Sequence, residues 1–138
     1  MTTPRELDNL EILETAKSIV AAAQTSVKAT MLVSEELERP LPGDYFLLLR
    51  KKMDAGVKIT RVGFGSNEEV GRLTDKIDFA HNNYEFILCR HGTYKRMLLV
   101  DDSRLMFATE TPEGKRFYYS EDPDDITDYL NYFEQLRA

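Results

Sequence analysis

Few residues of this chain are equipped for covalent or metal chemistry. There are two histidines, His81 and His91, and one cysteine, Cys89. Neither histidine stands at a spacing from cysteine or acid that would make a zinc site. No serine sits in a nucleophile elbow. There is no Walker loop, and Gly63-Phe64-Gly65 lacks the third glycine of a dinucleotide-binding turn. No metal or cofactor is expected. The acidic pairs Asp101-Asp102 and Asp124-Asp125 suit turns and helix caps. Polar chemistry concentrates between Arg90 and Thr111, in R-H-G-T-Y-K-R-M-L-L-V-D-D-S-R-L-M-F-A-T-E-T. On a strand, Tyr94 and Arg96 share one face.

The elements that must carry this stretch follow from periodicity. Leu10, Leu13, Ile19, Val20 and Ala23 approximate a helical stripe from Arg5 to Gln24, with acidic residues in its first turns. Ser26 to Val33 alternates as a strand. Ser34 to Gly43, with Pro40, Pro42 and Gly43, reads as a loop. Asp44 is the expected N-cap of a helix through Ala55, and Gly56 its left-handed terminator. Val57 to Phe64 is a second strand, and Ser66 with Glu69 has capping-box spacing for a helix to about His81. From Tyr84 onward the pattern is of short strands, at 85–90, 94–101, 104–109 and 116–120. The turns between them are His91-Gly92, Asp102-Ser103 and Pro112-Glu113-Gly114. A final helix opens at Asp122-Pro123-Asp124 and presents Ile126, Tyr129, Leu130, Phe133 and Leu136 on one side. The expectation is an α/β fold: a mixed sheet with parallel N-terminal strands, an antiparallel C-terminal meander and helices on both faces.

The 138 residues fit one domain, 1–138, and 42% hydrophobic residues suffice for a core without metal or disulfide. The lone Cys89 cannot form an intrachain disulfide, which points to a reducing cytoplasm. Glu6, Asp8, Glu11 and Glu14 interrupt any signal-peptide run, and apolar runs such as Met97–Val100 are too short to span a bilayer. Net charge is −6, with 24 acidic against 18 basic residues. That balance repels a phosphate backbone on average, so direct nucleic-acid binding is not expected. Two local basic clusters run against the average, Arg50-Lys51-Lys52 and Arg90 with Lys95 and Arg96.

The Arg90–Thr111 stretch resembles the signature of the phospholipase D-like superfamily, H-x-K-x4-D-x6-G-S-x-N. On this sequence the histidine position is Tyr94, the lysine position Arg96 and the aspartate position Asp101. Ala108 and Thr109 take the places of glycine and serine, and Thr111 that of asparagine. The spacing is kept and only the aspartate is identical. Ala55-Gly56-Val57-Lys58-Ile59 resembles the family's entry into its second strand. The closing helix from Asp128 to Leu136 is similar to that of phospholipase D-like domains in archaeal sugar-responsive transcriptional regulators, so the likeness covers nearly the whole chain.

In that family a histidine attacks phosphorus while lysine and asparagine stabilise the phosphate oxygens, and a second half-domain supplies the acid. Tyr94 is no comparable nucleophile, because a phenol is protonated at neutral pH. Arg96 keeps the charge as a rigid fork. The resemblance therefore implies a degenerate site and a non-catalytic regulatory module. Such a module binds a small anionic or sugar-type ligand, mediates dimerisation as a homodimer, or does both. Its candidate site residues are Tyr94, Arg96, Asp101, Thr109, Thr111 and His91. One alternative is a phosphodiesterase or nuclease using His91 as a displaced nucleophile across Gly92. Another is a protein-interaction domain using the acidic segment 121–128 or Phe117, Tyr118 and Tyr119. Plainer roles stand beside these: Arg96 paired with a carboxylate, Tyr94 packed at a sheet edge, His91 and Asp101 as turn residues, and Cys89 as a buried thiol.

Overall fold

The computed structural model describes residues 4–73 and 81–137. Among them, seven strands make one sheet: β1 (Arg5–Leu7), β2 (Ser26–Leu32), β3 (Lys58–Phe64), β4 (Tyr84–Cys89), β5 (Met97–Val100), β6 (Arg104–Thr111) and β7 (Gly114–Ser120). Their order is β1-β7-β6-β5-β2-β3-β4. β2 and β3 pair in parallel from Ser26 beside Lys58 to Leu32 beside Phe64, and β4 continues the parallel half beyond β3. β5 runs antiparallel to β2, and β6, β7 and β1 follow antiparallel. The sheet is mixed, as the strand and helix pattern predicts.

Alternation along each strand divides the core between two faces. Val27, Ile59, Leu98, Val100 and Met106 face the helices α1 (Ile12–Ala21) and α3 (Gly43–Asp54), packing with Ile19, Val20, Tyr45, Leu49 and Met53. Val62, Met97, Leu99 and Leu105 face α5 (Pro123–Arg137), whose Phe133 and Leu136 close that side. The short helices α2 (Val33–Glu38) and α4 (Asn67–Gly71) sit where β2 and β3 end, and Val33 and Leu73 join Met31 in a third cluster. Ser66 forms the expected capping box with Glu69, and Gly56 takes a left-handed φ of 97° after α3. α4 ends at Gly71, short of the helix expected to run to about His81, and residues 74–80 of that expectation lie outside the described residues.

Four local expectations are corrected. The helix expected from Arg5 begins only at Ile12. Arg5–Leu7 is instead a strand, because β7 offers an open edge and pairing with it buries Leu7. Asp8 then receives the N–H groups of Leu10 and Glu11 and turns the chain into α1. Asp44 does not cap α3. Pro42 precedes the first helical residue, and Asp44 lies in the first turn, paired with Lys17 at 2.7 Å. The proline-rich loop expected over 34–43 starts as α2, which burial of Val33 and Glu36 holds in place. Finally, His91-Gly92 does not connect neighbouring strands. β4 lies on the β3 edge, and the chain crosses to the far side of β2 before β5 starts at Met97, leaving Tyr94 and Arg96 ahead of the strand.

Candidate functional site

β5 is antiparallel to β2, so the residues before Met97 arrive beside the point where β2 ends. Two hydroxyls fix them there. Thr30 Oγ1 donates to the Lys95 carbonyl (2.6 Å) and accepts from the Met97 N–H (3.0 Å). Tyr132 Oη on α5 donates to the Thr93 carbonyl (2.6 Å) and accepts from the Lys95 N–H (2.8 Å). The Ala108 N–H completes the anchoring at the Arg96 carbonyl, 3.1 Å away. A stretch without strand structure is thus held by backbone bonds on three sides, which sets where Tyr94 and Arg96 emerge.

Arg96 is ion-paired through Nη1 with Glu35 Oε1, and its guanidinium lies 5.5 Å from the centre of the Phe117 ring. The other oxygen of Glu35 takes Lys115 Nζ at 3.1 Å. Glu35 stands on α2, directly after β2, and so reaches across the end of the sheet to both cations. Burial pushes its carboxyl up, yet the bonds from Lys115 and Arg96 outweigh this and hold it below the usual carboxylate range. Burial also opposes the Arg96 charge, and Tyr94 and Glu35 together keep it firmly protonated. Tyr94 meets Phe64 edge-on at 5.4 Å. Its hydroxyl is buried beside the Arg96 guanidinium. Burial, only partly offset by the Arg96 charge, pushes this phenol up to about 12. A group so rarely ionised at neutral pH is a poor nucleophile. What the arrangement can do is present cations, already occupied by an internal carboxylate.

The other residues of the stretch do not join this cluster. Asp101 is at the opposite end of β5, where its carboxylate accepts from the N–H groups of Gln24, Thr25 and Ser26. Thr109 is exposed and, by alternation from Phe107, belongs to the α5 face, whereas Arg96 is on the α1–α3 face with Leu98. Thr111 Oγ1 donates to the Gly114 carbonyl at 2.7 Å and closes the β6–β7 turn. His91 is exposed after β4, and its carbonyl accepts from the buried thiol of Cys89. Among the described residues no hydrogen bond or ion pair joins the His91 ring to Arg96.

Sequence reasoning missed Glu35, Lys115, Thr30 and Tyr132. Glu35 was hidden in a segment read as loop. A period-two pattern cannot reveal that a threonine's hydroxyl, and not its backbone, holds the neighbouring strand. Beside the cluster, a cavity of about 320 Å³ opens between α1, α2, α3 and the sheet, with Arg96 on its rim and Arg61 in its wall.

No family model and no curated protein matches this sequence. Solved structures do match. TrmBL2, described as an archaeal chromatin protein with a novel mode of DNA binding, superposes with a TM-score of 0.67 at 19% identity, over 95% of this chain and 49% of its own. NucT from Helicobacter pylori gives 0.63 at 14% identity, covering 97% of this chain and 93% of NucT. Nuc from Salmonella typhimurium, a phospholipase D family member, gives 0.60 at 10% identity, over 97% and 91%. The chain has the phospholipase D-like fold. It spans about half the length of TrmBL2.

This likeness corrects one expectation. The net charge of −6 was read as weighing against nucleic acid, yet a protein of this fold, TrmBL2, is a DNA-binding chromatin protein. Binding of a polyanion depends on where the cations lie and not on their balance over the chain, so the average excludes nothing here. Among the described residues no helix is long and apolar enough to cross a membrane.

Proposed function

We propose that this chain is a non-catalytic phospholipase D-like module with a regulatory, ligand-binding role, working in a reducing compartment. The observation that carries this reading is the ion-paired cluster at the motif site. The position of the attacking histidine holds a buried phenol, and the position of the phosphate-binding lysine holds Arg96, closed by Glu35 and shared with Lys115. A phosphodiester would have to displace Glu35 to reach Arg96, and would then meet, among the described residues of the cluster, no side chain able to attack phosphorus. The kinship in fold with TrmBL2 supports a place for the module in a nucleic-acid-associated assembly.

Hydrolysis of bis(p-nitrophenyl) phosphate and of plasmid DNA tests this directly. The expected rate equals that of buffer for the wild-type chain and for Arg96→Ala alike. Turnover that disappears in Arg96→Ala would overturn the reading. Turnover lost in His91→Ala would instead establish the displaced-nucleophile alternative.

A further inference from the structure

The cavity beside Arg96 contains a cation that the motif site does not use. Arg61, on β3, is only 5% exposed. Its guanidinium lies 5.9 Å from the centre of the Phe46 ring and interacts with the buried Tyr84 phenol. Nη1 is buried with no hydrogen-bond partner. Arginine is almost never fully buried unless paired, because a desolvated charge without an acceptor is costly. The Phe46 ring covers the carbon framework of the group but accepts none of its N–H bonds. Arg96, the neighbouring cation, is already committed to Glu35.

The rest of the wall says what could bring the missing acceptor. Leu13, Ala16, Leu98, Met106 and Phe117 make it mainly apolar. Tyr45 adds a buried phenol, which burial keeps protonated against the pull of the Arg61 charge. Glu36, buried in the same wall with Oε2 accepting from the Leu41 N–H at 3.3 Å, places one carboxylate in the cavity. A second negative group of high charge would be repelled by it, which disfavours a phosphate dianion and leaves room for a single negative charge. About 320 Å³ is at the small end of ligand pockets.

We propose that this cavity binds a small monocarboxylate with an apolar body, its carboxylate held by Arg61 and its body against the apolar wall. The proposal deepens the ligand-binding reading given above and rests on it. It does not depend on the absence of hydrolysis, so a hydrolytic activity would overturn that reading's catalytic half and leave this site standing.

The test uses the full chain and amide NMR titrations with hexanoate, octanoate and phenylacetate. Hexanol and phenyl phosphate serve as the neutral and dianionic comparisons. At least one carboxylate is expected to shift the Ala29, Leu98 and Phe117 amides saturably. Its binding should weaken about tenfold or more in Arg61→Met, as loss of a charge-assisted hydrogen bond implies, while hexanol binds both proteins alike. Ala16→Phe, which fills the cavity from α1 and leaves Arg61 in place, should also abolish the carboxylate shifts. It provides the readout if Arg61→Met does not fold. Equal carboxylate binding in the variants, tighter binding of phenyl phosphate than of the carboxylates, or no saturable shift with any carboxylate would each overturn the proposal.

Discussion

Each end of β5 is tied to a carboxylate, but the partners of the two differ in kind. Beyond Val100, Asp101 gathers the N–H groups of Gln24, Thr25 and Ser26 and the hydroxyl of Thr25, at 2.8–3.1 Å. These are donors the α1–β2 turn must satisfy somewhere. Before Met97, Glu35 joins two side-chain cations, Arg96 and Lys115, at a site about one third exposed. The first arrangement is architecture: it locks the β5–β6 turn onto the start of β2. The second neutralises two cations at the end of the sheet. Asp101 thus does structural work, whereas Tyr94 and Arg96 belong to a charged cluster at the end of the sheet.

Removing the architectural carboxylate should have the largest effect. Asp101→Ala leaves the N–H groups of residues 24–26 without their acceptor and places alanine at a φ of 56°. The expected cost is about 3 kcal/mol, combining lost charge-assisted bonds with left-handed strain. It is read as a lower urea midpoint at unchanged slope. A loss below about 1 kcal/mol would mean that water replaces the carboxylate freely and that the two ends do not differ as described.

The same contrast has a pH signature. Burial pushes the Asp101 carboxyl up, but the bonds from Thr25, Ser26 and Gln24 hold it below its ordinary value. Its folded pKa is therefore depressed relative to the unfolded chain. The stability it contributes is fully present above the unfolded value, about 3.9, and is lost as pH falls through the folded one. Urea midpoints measured between pH 7 and pH 2.5 should decline more steeply below about pH 4 in the wild type than in Asp101→Asn. Parallel declines would assign the acid sensitivity to other carboxylates.

Next in size is the link between the ends and the sheet. Thr30→Val keeps shape and removes the one hydroxyl that both holds the Lys95 carbonyl and caps the Met97 N–H. A cost of about 2 kcal/mol is expected, from two lost bonds at a buried position. Hydrogen exchange at the Met97 amide should speed up by more than at Leu99 in mid-strand. If both amides accelerate equally, Thr30 stabilises the sheet as a whole and does not position Arg96.

The frame was readable in the sequence where local signals were strong. Alternation in Val27-Lys28-Ala29-Thr30-Met31, the Ser66–Glu69 box, Gly56 and the apolar side of α5 all encode their structure within a few residues. Arg5–Leu7 was misread because its strand form depends on the open edge of β7, a partner more than a hundred residues away. The site was half legible for the same reason. Motif spacing singles out Tyr94 and Arg96 as a pair. That Glu35 closes on Arg96, across 61 positions, and Lys115 on Glu35, across 80, is a product of topology that no window of sequence contains. Thr109 fell outside because strand alternation, counted through a hairpin, sends it to the opposite face from Arg96.

The smallest effect on stability, and the sharpest on the comparison, is expected from Glu35→Gln. The pairs it breaks are partly exposed and screened, so the loss should stay below about 1 kcal/mol. The amide nevertheless withdraws the negative charge that occupies Arg96 and Lys115. Two cations at the end of the sheet, with the Tyr94 hydroxyl buried beside them, are then free to take an external anion. Calorimetric titration with inorganic phosphate should show no saturable heat for the wild type and a saturable, salt-sensitive one for Glu35→Gln, abolished again by adding Arg96→Ala. Phosphate binding of equal strength in the wild type would show that Glu35 yields to a ligand, and that the motif end of β5 is an open site after all. Absence of binding in Glu35→Gln would show that geometry, and not neutralisation by Glu35, has closed it.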